Sequence, residues 1–302
     1  MRILVTGATG FLGGHLGREM RRRGLPFVAF ARSREKAREL QGHGVEVRFG
    51  ALSDLEACRA AVRGIDVVVH LAAAADVSDP ATNRRVNLEG LGHLLLACGE
   101  SGVERFVFVS STCAGRVRRD AYGETKLQGE RLVRESGLPF VILRPTMIYG
   151  PGSQEFETFV RVIRLSPVVP LIGSGQNRVQ PVFIEDAVRV LLDLAESPLV
   201  LGRTYDLAGA SSVTFDALVG LVARILGVRR RLLLHVPSPP VLAAARLLGA
   251  LFTHVPLTVD QVLAFVQDTV VDLEPLRRDL GFVPLPLEEG LPRVLGRRVA
   301  EP

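Results

Sequence analysis

Ile3-Leu4-Val5-Thr6-Gly7-Ala8-Thr9-Gly10-Phe11-Leu12-Gly13-Gly14 places glycines at 7, 10 and 13 between an apolar run and a segment in which Leu12, Leu16 and Met20 share one helical face. A strand, a tight turn and a helix follow from that order. Glycine admits the turn, lets backbone approach a pyrophosphate and lets the helix pack closely on the strand. The helix start then offers unpaired N–H groups and the positive end of its dipole. The loop is therefore expected to hold a dinucleotide through Gly7, Thr9, Gly10, Phe11, Leu12 and Gly13.

Outward from this loop, short apolar runs recur at Phe27 to Phe30, Val45 to Phe49, Val67 to Leu71, Phe106 to Val109 and Phe140 to Leu143. Continuous apolarity indicates strands buried on both faces. Amphipathic stretches of helical length lie between them: Leu12 to Arg23, Asp54 to Val62, Asn87 to Cys98 and Tyr122 to Glu135. Strand and helix alternate, which predicts crossover connections and an α/β, doubly wound parallel sheet of Rossmann type. After Arg144, the prolines at 145, 151, 167 and 170 and the glycines at 150, 152, 173 and 175 read as loops leaving the sheet. A strand and helix are expected over Val182 to Glu196 and a strand over Thr204 to Leu207, followed by a smaller, mainly helical part. Residues 1–148, with sheet additions from about 178–208, form the expected dinucleotide-binding domain; 149–177 and 209–302 form the expected substrate part.

The second strand ends Phe30-Ala31-Arg32-Ser33-Arg34, with no carboxylate before Glu35. An acidic residue there would bind the ribose hydroxyls of NAD, whereas Arg32, or Arg34, would grip the 2′-phosphate of NADP. NADP is the expected cofactor and NAD the alternative.

The TGATGFLG start and Tyr122-Gly123-Glu124-Thr125-Lys126 resemble the extended and atypical short-chain dehydrogenase/reductase superfamily, which includes nucleotide-sugar epimerases and dehydratases. Further matches are Val69-His70-Leu71-Ala72-Ala73, Asn87 in a VNLEG run, Ser110-Ser111-Thr112, and Arg144-Pro145 leading into Thr146-Met147-Ile148-Tyr149-Gly150-Pro151-Gly152. The resemblance implies an NAD(P)-dependent oxidoreductase or epimerase acting on a secondary alcohol or ketone, with Tyr122 and Lys126 as acid–base pair. It also implies that Thr112, or Ser111 if the strand register slips by one, bonds the reacting oxygen, and that Leu71, Ala72, Ala73, Pro145, Tyr122 and Lys126 contact the cofactor. Asn87 would position the lysine through water. Residues four apart share a helix face, so the ammonium is expected to lower the tyrosine pKa. Only nine residues separate Thr112 from Tyr122, and Asn177-Arg178-Val179-Gln180 replaces the Arg-Asp-Tyr-like run of nucleotide-sugar enzymes. Arg178 meets either an anionic substrate or solvent, and Asp186 reads as a helix N-cap. The tail, in the runs Pro256 to Val262, Asp268 to Val271 and Leu280 to Leu291, is similar to the branch of the dehydrogenase-like accessory subunit of respiratory complex I. That branch admits a second reading, a catalytically silent NADPH-binding sensor or assembly protein.

Composition narrows the partners to a small-molecule substrate and, by the resemblance, a second copy in a homodimer. The 302 residues are 47% hydrophobic, and 37 Lys and Arg against 32 Asp and Glu are scattered rather than striped, which argues against nucleic acid. Cys58, Cys98 and Cys113 lack metal-ligand spacing, so no structural metal and no disulfide are expected. The N-terminus reads as structure rather than as a leader, giving a cytoplasmic expectation. The apolar stretch Val241 to Phe252 is shorter than the ~20 residues of a membrane span and reads as a core helix.

Overall fold

The computed structural model describes residues 1–74, 80–228, 231–251, 259, 262–263 and 266–296, without the side chains of Pro80 and 246–251. Phe252 of the apolar stretch and Pro256, Leu257 and Thr258 of the tail lie outside the described residues.

Seven parallel strands run in the order β11 (Arg203–Leu207), β6 (Phe140–Pro145), β5 (Arg105–Val109), β4 (Val67–His70), β1 (Ile3–Thr6), β2 (Phe27–Ala31), β3 (Glu46–Phe49). Successive side chains of a strand point to opposite faces, and both faces are covered. Ile3, Val5, Val69, Val107 and Val141 join one core with Leu16 and Met20 of α1 (Phe11–Arg22) and Val188 and Leu191 of α8 (Ile184–Glu196). Leu4, Val68, Phe106, Phe108 and Ile142 join the other with Val62 of α3 (Leu55–Val62), Leu91 and Leu94 of α5 (Gly90–Ser101) and Val133 of α6 (Ala121–Glu135). Burial on both faces explains the unbroken apolar runs. Edge strand β3 is the exception: Glu46 is exposed and Val47, Arg48 and Phe49 are half-buried, because only β2 pairs with it.

β1 lies between β2 and β4, and the chain leaves these two central strands in opposite directions across the sheet. That reversal opens a crevice at their carboxyl ends, where Thr6 pairs in register with His70.

Two expectations are corrected. The stretch after Arg144 contains a full helix, α7 (Gln154–Leu165), and a strand, β8 (Val168–Ile172), between its Gly/Pro clusters. The prolines and glycines mark the ends of these elements, and Ser153 caps α7 by accepting from the Phe156 N–H. Within 178–208, only β11 joins the main sheet. β10 (Val182–Phe183) pairs with β7 (Ile148–Tyr149), and β9 (Arg178–Val179) with β12 (Val213–Thr214). β8 pairs with β13 (Leu232–Val236), beside α9 (Phe215–Ile225) and α10 (Ser238–Leu251). Among the described residues no helix is long and apolar enough to cross a membrane.

Candidate active site

The glycine loop closes on the end of β4. Gly7 has φ of +73°, and a Cβ there would stand 2.7 Å from the Ala72 nitrogen. A Cβ on Gly13 would stand 2.2 Å from the Gly7 carbonyl oxygen, so the first helical turn packs directly on the loop. The Gly10 N–H donates to the Gly7 oxygen at 3.0 Å, and no side chain caps the start of α1. Thr9 and Gly10 are exposed there, Phe11 and Leu12 half-buried. A cradle with no room for side chains at Gly7 and Gly13, ending in uncapped helix N–H groups, fits the pyrophosphate of a dinucleotide.

The facing wall is built from β4. Thr6 Oγ1 and His70 Nδ1 are hydrogen-bonded at 2.8 Å, and the Ala72 N–H donates to the same Thr6 oxygen at 3.3 Å. His70 is fully buried and stacked on Phe108; burial, with the Lys126 charge adding to it, pushes its pKa down to about 3 and keeps it neutral. Leu71 and Ala72 are half-buried beside the loop and Ala73 is exposed.

At the end of β2, the Arg34 guanidinium lies 4.4 Å from the centre of the Phe49 ring. Ser33 Oγ caps α2 (Arg34–Gly42), accepting from the Lys36 N–H. Arg32 is exposed, with Arg34 occupied elsewhere.

Asp120 caps α6 by accepting from the Gly123 N–H at 2.7 Å, which sets Tyr122 in the first turn and Lys126 one turn on. The expected effect of lysine on tyrosine is not what this geometry gives. Lys126 Nζ is buried and donates to the Val109 carbonyl at 2.8 Å, and it lies 5.7 Å from the Tyr122 ring centre. Burial, aided by Cys113, Glu155 and Asp120, raises the Tyr122 pKa, and no lowering by the ammonium outweighs it. Burial takes Lys126 down to about 8 against the opposing charge of Glu130. Thr112 opens a turn (Thr112–Gly115) packed on the start of α6, and its hydroxyl donates to the Pro145 carbonyl at 3.4 Å. Ser111 Oγ accepts from the Cys113 N–H instead. Asn87 bonds both backbone groups of Ala74 and the hydroxyl of Thr125, so its direct contact with α6 is one residue before the lysine.

Behind the lysine stands a group that sequence reading missed. Glu130 is fully buried and accepts from Ser110 Oγ at 2.7 Å, Arg144 Nε at 2.7 Å and Nη2 at 2.6 Å, and Arg134 Nη2 at 2.9 Å. Burial pushes its carboxyl up, and the Arg144 and Ser110 hydrogen bonds outweigh that, leaving it below the usual range. The signal was available in part: Glu130 is four residues beyond Lys126, and Arg144 interrupts an apolar strand.

On the substrate side, Arg178 donates to Ser212 Oγ and to the Ser212 carbonyl. Asp186 is not an N-cap. It is the third residue of α8, buried, and accepts from the Leu285 N–H at 2.7 Å and Arg189 Nη2 at 2.7 Å; the residue at the cap position is Phe183, which supplies no side-chain acceptor. Among the described residues no group of three His, Cys, Asp or Glu is arranged to hold a metal ion.

Residues 3–208 match the model of the NAD dependent epimerase/dehydratase family. The chain belongs to that family. Within it, the chain is 31% identical over 269 residues to the uncharacterized UDP-glucose epimerase YtcB of Bacillus subtilis, covering 78% of this chain and 84% of that one. It is 28% identical over 331 residues to the 2-alkyl-3-oxoalkanoate reductase of Stenotrophomonas maltophilia, covering 97% and 98%. The structure of MoeE5 in complex with UDP-glucose and NAD superposes with a TM-score of 0.78 over the full length of both chains, at 26% identity. The complex I resemblance is also present: a mitochondrial NADH dehydrogenase alpha subcomplex subunit 9 from Dictyostelium discoideum is 25% identical over 72% of this chain and 62% of its own. Family members of this kind are nicotinamide-dependent enzymes, and this chain is an enzyme of that class.

Proposed function

We propose that this chain reduces a ketone of a small molecule, or oxidises the matching secondary alcohol, with Tyr122 as the proton donor and acceptor. The observation that supports the reading is that Lys126 Nζ reaches the Val109 carbonyl at the carboxyl end of β5 and lies 5.7 Å from the Tyr122 ring centre, two strands from the glycine loop of β1. The bound nicotinamide supplies or takes the hydride. Gly7, Thr9, Gly10, Phe11, Leu12 and Gly13 would hold its pyrophosphate, Leu71, Ala72, Ala73 and Pro145 would flank it, and Arg32 would select the 2′-phosphate of NADP.

A tyrosine whose pKa is raised stays protonated at working pH, which suits giving a proton to a carbonyl oxygen as hydride arrives at its carbon. The Thr112 hydroxyl would orient that oxygen. Lys126 would turn from the Val109 carbonyl to the ribose hydroxyls and hold its positive charge beside the developing alkoxide. Residues 1–148 with strand β11 would carry the cofactor, and 149–177 with 209–302 the substrate. Reduction is preferred here over nucleotide-sugar epimerisation because Asn177-Arg178-Val179-Gln180 replaces the Arg-Asp-Tyr-like run and the Arg178 side chain is tied to Ser212.

The test is turnover of a panel of ketones and secondary alcohols with NADPH and NADH, comparing the wild type with Tyr122→Phe. Loss of about 100- to 10,000-fold in kcat with cofactor Kd unchanged is expected. Unaltered turnover in the variant would remove Tyr122 from the chemistry; cofactor binding with no turnover of any ketone or secondary alcohol would overturn this substrate class.

A further inference from the structure

The side of the substrate part built from the end of α7 and from β13 leaves large apolar side chains in solvent. Leu165 is 73% exposed, Leu232 66%, Leu234 51% and Val162 38%. The two segments that carry these side chains are held together. Arg231 donates to the carbonyls of Ile163 and Arg164 at 2.7 Å each, which ties the start of β13 to the last turn of α7. The Leu232 N–H donates to the Pro167 carbonyl, and Leu232 and Leu234 pair in register with Val168 and Pro170. Register partners in a parallel pair lie on one face, so Leu232, Leu234 and the exposed Pro170 make a common outer surface while Val169 and Leu171 are buried behind it. Monomeric proteins rarely leave apolar residues clustered in this way without a use for the surface.

Its rim is basic. Arg161 and Arg164 are exposed on the same end of α7 and make no ion pair among the described residues; Arg231 is held by carbonyls, so its charge is not neutralised. α10 follows β13 directly, and Arg246 is its sole charged residue. Pro239, Pro240, Ala243 and Ala244 near its start are exposed.

We propose that this face docks on the surface of an anionic phospholipid membrane, with Leu165, Leu232 and Leu234 in the interface and Arg161, Arg164 and Arg231 at the headgroups. Apolar burial plus attraction of basic residues to anionic lipid is the basis of interfacial binding, and no described helix is long enough to span. Charge decides between a membrane and a second copy. A two-fold contact through this patch would bring together two copies of the same positively charged surface, whereas an anionic surface complements it. The inference stands apart from the catalytic reading and does not depend on Tyr122.

The experiment is flotation of the full chain with vesicles of phosphatidylcholine alone and of phosphatidylcholine with phosphatidylglycerol. The wild type should float with the anionic vesicles and be released by high salt. The double variant Leu165→Asp/Leu232→Asp, and separately Arg161→Glu/Arg164→Glu, should each lower the bound fraction about tenfold while circular dichroism and NADPH binding stay unchanged. A wild type that does not float with anionic vesicles would overturn the proposal. So would variants that float equally well, or a solution dimer that Leu232→Asp separates.

Discussion

Lys126 Nζ is bonded to the carbonyl oxygen of Val109, the last residue of β5, and not to the hydroxyl of Tyr122 one helical turn away. The strand end thus holds the ammonium in a buried place, where desolvation takes its pKa down to about 8.

A group at that pKa loses its proton as pH rises through about 8. If the charged lysine serves the reaction, kcat/KM falls above that pH with the slope of one proton. Glu130 is the charge opposing the fall in pKa, so Glu130→Gln should move the falling limb to lower pH. The pH profile of kcat/KM for both proteins checks this; identical limbs would separate the two groups.

The same substitution should cost stability. Removing the charge from Glu130 leaves the half-buried Arg144 without its anionic partner at the junction of β6 and α6 and weakens the pair with the more exposed Arg134. A loss of about 3 kcal/mol is expected, measured by urea unfolding.

Gly13→Ala would place a methyl carbon 2.2 Å from the Gly7 oxygen, and that oxygen belongs to backbone that cannot rotate away. The helix start must shift off the loop. Dinucleotide binding should weaken at least about tenfold while the sheet stays folded, as read by fluorescence titration and circular dichroism.

Arg32→Ala should weaken NADPH roughly 10- to 100-fold and leave NADH unchanged, since a charge-assisted hydrogen bond to a phosphate is worth about 1.5–3 kcal/mol. Calorimetric titration decides it. Equal affinity of the wild type for both nucleotides would withdraw the phosphate role of Arg32.

His70 titrates near 3 when folded and near 6.5 when unfolded, so its contribution to stability is complete above about 6.5 and is lost as pH falls toward 3. In that window the unfolded chain binds the extra proton, adding a slope of about 1.4 kcal/mol per pH unit. His70→Phe should flatten the acid limb of unfolding free energy against pH.

Much of this protein was legible in order along the chain. Strand and helix periodicities are local, and unbroken apolar runs demand two covered faces, so the parallel sheet, the glycine loop after β1 and the Tyr122–Lys126 spacing follow from the sequence. The helix α7 was hidden because Gly and Pro punctuate both of its ends, and the loops masked the element between them. What only the tertiary structure decided are the partners. Lys126 finds Val109 17 residues away, Asp186 finds the Leu285 N–H 99 residues away, and Glu130 adds Ser110, just past β5, and Arg144 of β6 to Arg134 of its own helix. A side chain's spacing fixes its face, but a buried polar group must take whichever donors the packed elements leave within reach, and that selection exists only once the chain has folded.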